Sequence, residues 1–258
     1  MVWNLRSVSQ LLSSSCANRA DTCCAILLRA KPSLEPILVP HAGESAIHGF
    51  TIGDLRERLL PLTGSSDLSQ TIIYIWLRLR YLTEFLASIP SKNKSAIDDY
   101  FFSDKIDFIE RQALSLLHSD MLSKSDAVSF FTAFINASLI YIYEELRECP
   151  KGNNICICLS QRIYNGLELV DLSFVVSQCP DLLLWIFLLG RSGNPPLGGP
   201  GRLWFLEAIV DMEKNLDIEV PTGVAGLKYF ELAEGTRSKR SRSGKEIEVK
   251  EILGGEAG

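Results

Sequence analysis

Three histidines, His41, His48 and His118, are the side chains best suited to general-base work, because imidazole titrates near neutral pH. A serine or cysteine nucleophile needs such a base within hydrogen-bonding reach. The serine in the most glycine-rich setting is Ser192, in Gly190-Arg191-Ser192-Gly193-Asn194, and it lacks the second glycine of a G-x-S-x-G elbow. None of the three histidines lies in a recognisable motif, so they read as surface or loop residues. The seven cysteines are Cys16, Cys23, Cys24, Cys149, Cys156, Cys158 and Cys179, and no C-x-x-C pair occurs among them. They therefore lack the ligand spacing of a structural zinc site. Their odd number and irregular spacing do not suit a secreted disulfide framework either. Reduced, buried cysteines acting as small hydrophobes in an intracellular protein are the reading that remains.

Acid–base and phosphate chemistry fare no better. Glu144 and Glu145 fall at a helix end beside Arg147, a setting that suits a solvated face. Residues 190–201 are glycine-rich but hold no lysine, and Pro195 and Pro196 remove amides that a phosphate would need. The expectation is a chain without catalytic residues, metal or cofactor. An enzyme with an unrecognised site using His41 or His48 is the weakest of the alternatives.

Charge points to two regions. The 258 residues carry 26 basic and 31 acidic side chains, a net charge of −5. Arg237, Lys239, Arg240, Arg242 and Lys245 fall in one ten-residue stretch without an acid. Setting those five aside leaves 21 basic residues against 31 acidic ones, too acidic a body for direct DNA binding. The basic run has three readings: a solvated segment, a nuclear-import signal, or a nucleic-acid contact. Ser241 and Ser243 lie inside it, where phosphorylation would cancel part of the charge.

The elements that must carry these residues are helical. Hydrophobic residues make up 47% and charged residues 22%, an ordinary globular balance. A chain of this length buries roughly 70–75% of its unfolded surface. Asn18 and Asp21 can cap a first helix that Pro32 stops, and Thr51 with Asp54 forms a capping box for a helix ending at Pro61. Ile72, Ile75, Leu79, Leu82, Leu86 and Ile89 recur in steps of three and four, one face of a helix from Ser69 to Ile89. The same steps fit a heptad, so this face packs either inside the molecule or as a dimer seam. Asp104 opens a helix with Ile106, Ile109, Ala113 and Leu116 inward, and Ser123 with Asp126 caps the long apolar helix that stops before Pro150. Asn153 or Asn154 starts the helix bearing Leu159, Ile163 and Leu167. Pro180 suits the first turn of another, with Gly190 as its stop. A connector over 190–201 leads to a helix carrying Trp204 and Phe205, which fold back onto Trp185 and Phe187. Val224 to Leu232 supplies a last turn or two. Residues 32–50 form a loop or short extended piece.

The longest uncharged run, Ala127 to Tyr143, has seventeen residues including Ser129, Thr132, Asn136 and Ser138. A membrane span needs about 20 mostly apolar residues. The run therefore reads as a core helix, as does Leu182 to Gly190. The expected fold is all-α: one large domain of nine to ten helices over residues 1–232 and a disordered, charged tail over 233–258.

The order of these segments resembles a known family. QCPDLLLWIFLLGRSGNPPLGGPGRLWFLEAI looks like the signature stretch of the fungal-specific transcription factor regulatory domain. In that family a proline-led helix rich in Leu and Trp runs into a Gly-rich turn, and an R-x-W-F element opens the next helix. The matching positions here are Trp185, Gly190, Arg202, Trp204 and Phe205. NRADTCCAILLRAKPSLEP, DKIDFIERQALSLL and SDAVSFFTAFINASLIYIYEELRECP are similar to other family segments in the same order. The resemblance spans roughly residues 18 to 232. It implies an all-helical, non-enzymatic regulatory domain in the nucleus. Such a domain acts through transcription machinery, a homodimer partner or a small effector. The binuclear zinc cluster that usually precedes the family's domain needs six closely spaced cysteines and is absent here, as is the family's N-terminal part of the regulatory region. A helical protein-interaction scaffold unrelated to transcription is the alternative that the acidic helical body leaves open.

Overall fold

The computed structural model describes residues 17, 19–33, 52–88, 96–119, 128–194 and 200–216. Among them every regular element is helical and no strand occurs. Helix α1 covers residues 19–28, α2 Ile52–Thr63, α3 Ser66–Ser88 and α4 Ala96–Leu117. Helix α5 covers Val128–Tyr141 and passes directly into a π-helical turn over Ile142–Leu146. Helices α6 (Asn154–Leu167), α7 (Leu172–Gln178), α8 (Pro180–Ser192) and α9 (Pro200–Leu216) complete the order.

Helix α5 is the axis of the assembly. Its sequence, VSFFTAFINASLIY, is apolar around almost its whole circumference, the pattern of a helix packed on all sides. Phe130, Phe131 and every residue from Ala133 to Tyr141 are buried, and α2, α3, α4, α6 and α8 all pack on this helix. Each buried Phe, Leu or Ile contributes roughly 1.5–3 kcal/mol relative to exposure. Two of its polar side chains bond back to their own helix: Asn136 Nδ2 donates to Thr132 O at 2.7 Å and Ser138 Oγ to Phe134 O at 2.9 Å. No helix among the described residues is long and apolar enough to cross a membrane.

The α3 stripe packs inward. Ile72, Ile75, Leu79 and Leu82 are all at most 1% exposed, so this face is used within the chain and is closed to a dimer seam. Ile89 lies outside the described residues, as do Thr51, Ser123, Asp126, 34–50 and everything beyond Leu216. On α4, Ile106, Ile109 and Ala113 are buried and Leu116 is half-buried. Asp104 does not open that helix; it stands well inside it, after a start at Ala96.

Three other boundaries differ from expectation. Helix α2 continues through Pro61 to Thr63, because a proline this near the C-terminus forfeits one hydrogen bond of the final turn. Gly64, at φ +61°, ends the helix in the left-handed conformation, its amide bonded to Leu60 O at 3.0 Å. Asp21 is inside α1 and is not its cap. Helix α7 has no counterpart in the sequence reading; it is seven residues long and is capped by Asp171, whose Oδ1 accepts from the amides of Ser173 and Phe174.

Candidate functional site

Two places bring candidate residues together: the junction of α8 with α9, and the polar ground beside the π-turn. At the junction the expected cap of α6 is present. Asn153 accepts from the amides of Ile155 and Cys156, fixing the start of the helix against which α8 ends. Pro180 occupies the first turn of α8, and Arg58 from α2 grips Asp181 there with two hydrogen bonds of 3.0 and 3.1 Å.

Gly190 is not the stop of α8. The helix runs on to Ser192 and is capped by Gly193. The physical role of Gly190 is close approach: a Cβ there would stand 2.5 Å from Phe205 Cε1 and 2.9 Å from Cε2. Phe205 is fully buried and seats directly on the bare backbone of α8. Trp204 is half-buried and packs edge-on against Phe187 (5.5 Å between ring centroids), Tyr164 (5.3 Å) and Phe205 (5.1 Å). Trp185 does not share that cluster as expected. It points to the other side of α8, where its ring centroid lies 5.9 Å from Phe134 and 6.1 Å from Tyr141 of α5. Arg202 sits half-buried at the start of α9. The sequence signature thus splits into one anchor toward α5 and one toward α9.

The π-turn carries the second cluster. One extra residue in the turn re-aims the side chains that follow it. Arg147, whose side chain is 2% exposed, reaches back to α4 and bonds both Asp107 and Glu110, the latter at 2.7 Å. Tyr143 donates to Glu110 at 2.5 Å, and its oxygen lies 3.3 Å from Cys23 Sγ on α1. Burial lowers the Arg147 guanidinium's hold on its proton, but the carboxylates of Glu110 and Asp107 outweigh it and raise the pKa above its usual range. Burial, then the Glu110 charge, likewise raises Tyr143. Arg111 adds a second clamp on α1 through Asp21 at 2.9 Å, and Arg162 donates to Ile26 O at 2.6 Å. Helix α1 combines these polar contacts with Ala25 and Ile26 buried in the core, while Leu27 and Leu28 stay exposed.

Glu144 and Glu145, beside Arg147, were expected on a solvated face; Glu144 and the Arg147 side chain are instead inside the molecule, and Glu145 is half-buried. No period marks the difference, since a π-turn has no sequence signature. The cue that existed was Asp107, Glu110 and Arg111 falling among Ile106, Ile109 and Leu114 on α4.

The thiol chemistry is quiet. Burial, with the neighbouring Glu144 charge, pushes the Cys156 thiol up to about 12, so it stays protonated. Cys179 is buried as well, while Cys24 is exposed. His118 is exposed at the end of α4, its ring nitrogens 2.9 Å from Leu114 O and 3.0 Å from Arg29 O. His41 and His48 lie outside the described residues, as does the basic run Arg237, Lys239, Arg240, Arg242 and Lys245. An open groove of about 540 Å³ lies between α3 and α4, with Tyr74, Ile75 and Leu116 beside Gln70, Gln112 and Ser115. Its volume falls in the range of small-molecule sites. Among the described residues no group of three or more His, Cys, Asp or Glu is placed to hold a metal ion.

No family model, curated protein or solved structure matches the chain.

Proposed function

We propose that the chain is a transcription regulatory domain of the fungal type, working without catalysis through protein partners or a small effector. The observation that carries this reading is the ordered run of helical segments that ends in Trp185, Gly190, Arg202, Trp204 and Phe205. The close seating of Phe205 on Gly190 supports it, because it gives the signature glycine and aromatic a joint physical role. The groove between α3 and α4 offers an effector a place of suitable size. Leu203 and Val210, seven residues apart on α9, are 63% and 41% exposed and offer apolar surface to a protein partner, either transcription machinery or a second copy. The basic run from Arg237 to Lys245 is the nuclear-import signal on this reading, and the acidic remainder does not itself read DNA.

Fusing the chain to an unrelated DNA-binding domain in front of a reporter gene tests the proposal. Reporter output that rises or falls relative to the DNA-binding domain alone supports it. Unchanged output, with the fusion folded and nuclear, overturns it in favour of a helical scaffold outside transcription.

A further inference from the structure

Two exposed helix faces carry apolar strips flanked by charges of opposite sign. On α1, Ala20, Cys24, Leu27 and Leu28 follow in steps of four, three and one, so they share one face. All four are exposed, Leu28 to 75%. Arg19 stands at the start of that helix, with Arg29 and Lys31 just past its end. These three cations are exposed, and none forms an ion pair among the described residues. The acid of α1, Asp21, is engaged by Arg111 and by the Ser33 amide.

On α9, Leu203, Leu206 and Val210 recur in steps of three and four, on the side away from buried Phe205, Ile209 and Met212. Glu207 and Asp211 run beside them, exposed and likewise without an ion pair among the described residues. Lys214 is an exposed cation on the same helix, one turn beyond Val210. The strip from Ala20 to Leu28 is about 12 Å long and that from Leu203 to Val210 about 10 Å, at the helical rise per residue.

Both faces are exposed in the single chain, so they do not cover each other there. A second copy brings each face what it lacks. We infer that the α1 face of one copy docks on the α9 face of another, Leu27 and Leu28 against Leu203 and Val210, with Arg29 and Lys31 beside Glu207 and Asp211. The inference rests on the reading of the α9 face as a partner surface and makes that partner a second copy. Apolar burial supplies the attraction, and the charges select the pairing, since either face against itself sets like charges together. Every chain carries both faces, so two copies can pair reciprocally and close as a dimer.

The test is sedimentation equilibrium of the whole chain from about 1 μM to about 1 mM, in reductant so that exposed Cys24 stays a thiol. The parent should associate, and less so as salt screens the charges. Reversing one face, by Arg29→Glu with Lys31→Glu or by Glu207→Lys with Asp211→Lys, should raise the dissociation constant about tenfold or more. Mixed in equal amounts, the two variants should associate again, because each meets a face of opposite charge on the other. Should either fail to fold by circular dichroism, Leu28→Ser and Leu203→Ser replace them, and each should weaken association. A parent that stays monomeric, association indifferent to these changes, or a mixture of folded charge variants that stays monomeric overturns the inference. A monomeric parent that still changes reporter output would leave the regulatory reading standing, with transcription machinery as the partner.

Discussion

Adding one methyl group at Gly190 probes the seat of α9 on α8. Alanine is favoured over glycine in a helix interior by about 0.8–1.0 kcal/mol, so an unobstructed Gly190→Ala should stabilise α8. The new Cβ, however, arrives 2.5 Å from Phe205 Cε1 and 2.9 Å from Cε2, well inside van der Waals contact. Phe205 is 0% exposed and its ring has nowhere to swing. Overpacking of this kind costs about 1–3 kcal/mol. The net effect is a loss of up to about 2 kcal/mol. Phe205→Leu removes the Cε and Cζ atoms that cause the clash. In that background Gly190→Ala should become stabilising by up to about 1 kcal/mol. The sign reverses, and the coupling is about 1–3 kcal/mol, the range found for residues in contact. Urea denaturation of the four proteins, followed by circular dichroism, measures it. An equal effect of Gly190→Ala in both backgrounds would refute the close seating of Phe205 on Gly190.

Arg147→Met leaves Asp107 and Glu110 buried without their shared cation and should cost about 3–5 kcal/mol in the same unfolding assay; a loss under about 1 kcal/mol would place that cluster in water. Trp185→Ala, at a site 1% exposed between α8 and α5, should cost about 3–5 kcal/mol, and half-buried Trp204→Ala clearly less; the reverse order would contradict the packing of α8. Gly193→Ala should destabilise as well, because its Cβ would meet the rigid backbone oxygen of Cys156 at 2.8 Å; a neutral result would show that α6 and α8 separate freely there. Changing Arg237, Lys239, Arg240, Arg242 and Lys245 to alanine in a fluorescent fusion should shift it toward the cytoplasm; an unchanged distribution would leave the run a solvated segment.

Much of the scaffold was legible because burial writes a period into the sequence. The stripe from Ile72 to Leu82, the Asn153 cap and Pro180 at the start of α8 each signal through a local rule, and each stands where the rule puts it. Gly190 was read as a stop because glycine serves both termination and close approach, and only the position of Phe205 separates the two. Pro61 misled for a similar reason: its cost depends on how many residues of helix follow it. Helix α7 is too short for its apolar positions to repeat, so Asp171 was its one signal. The cluster of Tyr143, Glu144 and Arg147 was invisible because the π-turn rotates those residues away from the face that a 3.6-residue period assigns them. Trp185 and Trp204 share a signature but not a neighbourhood, since they belong to different faces of the α8 packing.

The reporter fusion separates regulation from scaffolding most directly when it carries, in turn, the parent chain, Gly190→Ala, and Gly190→Ala with Phe205→Leu. The parent should change reporter output, Gly190→Ala should lose part of that change, and the compensated pair should recover it. Output indifferent to the parent chain, at equal fusion levels in the nucleus, would contradict a regulatory role.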